Sequence, residues 1–136
     1  MRRFWFLGVV VLATVAVLAV RVVLSLDDRE VVRARTSEAA YSVQDALAQQ
    51  TTDPIAVIGF VHDDGFARPR LCTGREDSDP PRCVGPYLLL EGLDPARLAW
   101  KTGRGKSGSE VRWSDMETTF LGTLAGDELR VSEILN

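Results

Sequence analysis

The stretch PIAVIGFVHDDG, residues 54–65, decides the fold class. Pro54 disfavours helix in the residue before it, so whatever precedes ends there. IAVIGFVH (55–62) is apolar and rich in β-branched residues, and Asp64-Gly65 supplies turn chemistry directly after it. The stretch predicts a strand. A glycine inside a strand, here Gly59, marks a bend or bulge.

Downstream the texture repeats. RPRLC (68–72) predicts a second, shorter strand and PYLLLEGL (86–93) a third. A fourth lies around residues 116–121 within EVRWSDMETTFLG (110–122), and DELRVSEIL (127–135) is a fifth. PPRCVGP (80–86) is expected to be irregular, DPARLAWKTG (94–103) short helix or irregular, and GRGKSGS (103–109) a flexible loop. Five short strands with a long connection between the third and fourth are the element pattern of an OB-type barrel. The expected fold class is mainly β: a small five-stranded OB-like barrel over residues 54–136.

Upstream, FWFLGVVVLATVAVLAV (4–20) is 17 residues without a charge, and the run reaches residue 26 once Arg21 is admitted. A bilayer crossing takes about 20 apolar residues, and an arginine near one end extends its stem toward the interface. After a short tail, 1–3, residues 4–26 are therefore expected to be one transmembrane helix. The run exceeds the usual apolar core of a cleaved signal peptide, which favours an uncleaved signal-anchor. Residues 27–53 lack Gly and Pro and carry Val31, Val32, Ala39, Val43, Ala46 and Leu47 at helical spacing, predicting a juxtamembrane helix or linker. Arg2 and Arg3 on one side are balanced by Arg29, Arg33 and Arg35 on the other, so charge alone does not orient the segment.

Cys72 and Cys83 are the chain's two cysteines. Structural zinc takes four ligands, and His62 is the only histidine available to join them. Redox pairs stand closer, as in C-x-x-C. A structural disulfide is the expectation, and it points to an oxidising compartment with the C-terminal domain extracytoplasmic.

GRGKSGS invites two motif readings that fail on count. A phosphate-binding loop needs glycine at position 100, where Trp100 stands, and a nucleophile elbow needs glycine at 109, where Ser109 stands. Around it cluster Arg97, Lys101, Arg104, Lys106 and Arg112, the candidate anion-binding residues. No catalytic set, metal site or cofactor is expected. The 16 Lys and Arg, less Arg2, Arg3 and Arg21, leave 13 beyond residue 26 against 19 Asp and Glu, a net charge of −6. That balance argues against nucleic acid, which requires a positive track.

GFV in the first strand, RLC, DPPRCVGP, LLLEGL, Trp113 before TTFLGTL, and LRV together resemble a family of small actinobacterial envelope proteins. The resemblance covers roughly residues 55–134 and is most specific in the C-x10-C segment. It implies an N-terminal membrane segment or lipid anchor, an OB-like domain, a disulfide and an extracytoplasmic address. It supplies no ligand. This chain has no cysteine close behind its apolar run, so the helix itself is the expected anchor. The expectation is a single-pass, non-enzymatic binding module meeting the bilayer and an envelope protein or anionic surface ligand. The alternative is an assembly subunit working through its anchor and juxtamembrane helix.

Overall fold

The structure is a computed structural model that describes residues 39–49 and 51–135. Its strands are β1 (Tyr41–Ser42), β2 (Ile55–Asp63), β3 (Arg70–Arg75), β4 (Cys83–Glu91), β5 (Trp100–Arg104), β6 (Glu110–Ser114), β7 (Thr118–Ala125) and β8 (Glu128–Leu135). One short helix, α1 (Val43–Ala48), follows β1, and a 3-10 turn (Pro95–Arg97) leads into β5. The described chain is mainly β.

The opening stretch organises everything else. β2 pairs antiparallel with β7 through residues 55–59, then with β3 through residues 60–62, and its last two residues meet β6. From β3 the pairing passes to β4, then in parallel to β8, then to β7, and so returns to β2. Five strands thus pair in a cycle, with β5 and β6 attached to it as a hairpin.

Two glycines permit this path. A Cβ on Gly59 would stand 2.7 Å from the Cys72 carbonyl oxygen, and one on Gly122 would stand 2.3 Å from that of Arg130. Gly59 is the last β2 residue paired with β7 before β3 takes over, and Gly122 sits at the register shift between β7 and β8. Close backbone approach, rather than a special dihedral, selects glycine at both.

Alternation along the strands sends Val57, Val61, Leu71, Leu88, Leu90, Phe120, Leu129 and Ile134 into one core. Helix α1 adds Val43 and Ala46 to it. The Ser42 hydroxyl caps α1 by accepting from the Asp45 N–H at 3.1 Å.

Four expectations need correction. The described part of the expected helix 27–53 is not helical throughout: Tyr41 and Ser42 pair in parallel with Val57 and Ile58, and among these described residues helix is confined to Val43–Ala48. Val43 and Ala46 of the alanine-rich stripe are buried in the domain core. PPRCVGP is not wholly irregular, since Cys83 to Pro86 belong to β4. The register shift opposite Cys72 to Gly74 absorbs the Gly-Pro step, and the Pro86 carbonyl accepts from the Thr73 hydroxyl at 2.7 Å. The short helical stretch expected within 94–103 is present as the 3-10 turn Pro95–Arg97, but the rest is not wholly irregular and the expected loop 103–109 does not begin at Gly103, because Trp100–Arg104 form β5 against β6. Finally, the stretch 110–122 holds two strands, β6 and part of β7, rather than one. The five expected strands correspond to the five of the cycle, and the described residues contain eight in all.

The expected membrane helix, residues 4–26, and the segment 27–38 lie outside the described residues. Among the described residues no helix is long and apolar enough to cross a membrane.

Candidate functional site: a basic cleft beside the disulfide

Cys72 and Cys83 form a disulfide with their Cα atoms 5.5 Å apart. It joins β3 to β4 across the register shift and closes the segment 73–82. That segment is ordered by its own backbone. The Glu76 N–H donates to the Arg82 carbonyl at 2.8 Å and the Ser78 N–H to the Glu76 carbonyl at 2.9 Å. The Ser78 hydroxyl donates to the Pro80 carbonyl at 3.0 Å. Pro81 is buried near His62.

The β5–β6 hairpin stands opposite. Its turn is tied by the Gly105 N–H donating to the Ser109 carbonyl and the Gly108 N–H donating to the Gly105 carbonyl, both at 2.9 Å. Between hairpin and disulfide loop lies a cleft of about 290 Å³. Ser78, Asp79, Pro80, Pro81 and Arg82 line one side, Arg104, Gly105, Lys106 and Val111 the other, with His62 between them.

The charges in this cleft differ from those elsewhere on the domain. The described residues include ten Lys and Arg, and seven of them (Arg68, Arg70, Arg75, Arg82, Lys101, Arg112 and Arg130) pair with a carboxylate. Arg97, Arg104 and Lys106 have no ion pair among the described residues. Two of these three line the same cleft. Glu110 sits directly across the ladder from Arg104 and still forms no ion pair with it.

The five candidate anion-binding residues therefore separate. Arg104 and Lys106 come together in the cleft. Lys101 donates to Asp115 at 2.9 Å, and this hydrogen bond is the main influence holding the Asp115 carboxyl below its usual range. Arg112 is committed to Asp63 and stacks over Trp100 with 5.1 Å to the ring centroid. Arg97 stands exposed in the 3-10 turn, outside the cleft.

Arg82 was not among the candidates, although it holds the opposite wall while pairing with Glu76 at 3.2 Å. Its position next to Cys83 was the available signal, but nothing in the residue order indicates that this loop faces the hairpin. Three cations from two elements can grip an oxyanion by charge-assisted hydrogen bonds. No group of three or more metal-ligating side chains converges among the described residues.

His62 brings a pH dependence. Burial first, and then the Arg70 guanidinium, lower its pKa from the ordinary 6.5. Its Nδ1 is buried without a hydrogen-bond partner. The unfolded chain therefore binds a proton more readily than the folded one, and stability falls as pH drops below 6.5. Urea unfolding at about pH 7.5 and about pH 5.5 will show a larger acid loss in the natural chain than in His62→Gln, this being the only histidine. Equal losses in both would remove His62 from the account.

Comparisons with known proteins return no match to this chain, whether from protein families, curated proteins or solved structures.

Proposed function

We propose that residues 54–135 form an OB-like barrel, held outside the cytoplasmic membrane by the segment 4–26, that serves as a non-enzymatic binding module for an anionic ligand of the cell envelope. The pairing cycle β2–β3–β4–β8–β7 and its parallel β4–β8 step support the barrel reading. The Cys72–Cys83 disulfide supports an oxidising address. The resemblance to small actinobacterial envelope proteins agrees with both.

The observation that carries the binding role is the pairing state of the cations. Excluding the 4 acidic residues before position 39 from the total of 19 leaves 15, against 10 Lys and Arg. In a domain so rich in carboxylates, leaving Arg104 and Lys106 unpaired in one cleft keeps two charges available to a partner.

The test uses the full-length chain on beads, exposed to a solubilised envelope fraction. Material retained by the natural chain, eluted by inorganic phosphate or raised salt, will not be retained by Arg104→Glu/Lys106→Glu. Equal retention by both chains would contradict the assignment of the cleft, and retention by neither would contradict the binding role.

A further inference from the structure

We infer that the cleft between the disulfide loop and the β5–β6 hairpin takes a phosphate monoester carried on a small organic body. This deepens the anion-binding reading above and rests on it.

The pairing state of the cations favours a phosphate monoester. Arg82, Arg104 and Lys106 line the cleft with one carboxylate, Asp79, and Arg82 also pairs with Glu76. Of these cations, Arg104 and Lys106 are the two without an ion pair among the described residues. A phosphate monoester, at about −1.5 to −2 at neutral pH, brings a charge for each of them. A carboxylate brings a single charge.

The number of oxygens leads to the same class. A carboxylate has two, and one guanidinium fork occupies both. A phosphate monoester presents three terminal oxygens, and this cleft offers three cationic side chains from opposite walls: Arg82 on one, Arg104 and Lys106 on the other.

Size and lining describe the rest of the ligand. At about 290 Å³ the space lies at the lower limit of small-molecule sites, suited to one phosphorylated unit. Pro80, Pro81 and Val111 give it an apolar side, against which carbon atoms of the organic body pack. Arg82 already holds Glu76, and a phosphate can share its remaining donors without breaking that pair.

The test is calorimetry on the full-length chain in non-ionic detergent, with glycerol phosphate as the probe and glycerate as the carboxylate of matching body. Glycerol phosphate will bind at least about tenfold more tightly than glycerate. Arg104→Ala/Lys106→Ala will weaken it by at least about tenfold. Both replaced residues are exposed and unpaired among the described residues, so an unchanged melting temperature will confirm that the variant is folded. Mixed micelles containing phosphatidate then separate the sources. Variant-sensitive binding there assigns the phosphate to a lipid headgroup, and its absence beside glycerol phosphate binding assigns it to a water-soluble ester; either supports the inference. Equal affinity for glycerate would overturn the phosphate assignment and leave the anion cleft standing. An Arg104→Ala/Lys106→Ala variant that binds as tightly as the natural chain would overturn the site, and failure of both probes to bind would overturn the anion reading itself.

Discussion

Replacing Arg112 with alanine will destabilise the domain by about 3 kcal/mol, measured as a shift in urea unfolding. The cost comes from Asp63, whose side chain is only 6% exposed and whose Oδ2 lies 2.5 Å from the Arg112 Nη2. The other carboxylate oxygen, Oδ1, accepts from the Gly65 N–H at 2.9 Å, which cannot neutralise the charge. Removing one member of a buried pair leaves its partner charged in a poorly hydrated site, at a cost of roughly 3–5 kcal/mol. The low end applies because the Arg112 side chain is 35% exposed. Its stacking over Trp100 adds to the loss, since that contact holds β5 against β6. Asp63→Asn together with Arg112→Ala will recover part of the stability, because no unpaired charge then remains. A loss below about 1 kcal/mol in the single variant would mean that water reaches Asp63 and that the hairpin is held in another way. Arg104→Ala should leave stability nearly unchanged. The two arginines lie on the same hairpin, and their different costs separate a structural role from a binding one.

The second large effect concerns the disulfide. Replacing Cys72 and Cys83 together by alanine will cost about 3 kcal/mol of unfolding free energy, the loop-entropy value for a sequence separation of 11 residues. A domain of this size draws only a few kcal/mol from its core, so this is a large share of its stability. The loss should also reach the cleft, because the closed segment contains Ser78 to Arg82, its whole first wall. Denaturation of the oxidised and reduced natural chain gives the same comparison without substitution. Coincident unfolding curves would show that the β3–β4 ladder holds the loop unaided.

The five strands of the cycle were legible in the sequence because each carries an apolar face that must be buried. IAVIGFVH and PYLLLEGL announce themselves, and even RPRLC delivers Leu71 and Cys72 to full burial. The hairpin was not legible. WKTGR has no residue of the buried core and pairs on one edge only, so its tryptophan, threonine and glycine read as an irregular stretch. Trp113 on β6 is nearly buried, but it stands among charged and small residues that hide the pattern. At the site, the sequence displayed a cluster of cations but not which were already paired. Asp63 lies 49 residues from Arg112, and only their shared edge brings them together. The Arg82 wall was hidden for the same reason: facing surfaces depend on how β6 attaches to β2.

A closed clasp between Cys72 and Cys83 in the living cell underlies both the stability of the domain and its envelope role, and thiol alkylation of the full-length chain in native membranes, read as an intact mass, tests this most directly. The expected result is no added label before reduction and two labels afterwards. Two labels without reductant would return the domain to a reducing compartment and remove both the brace and the envelope role built on it.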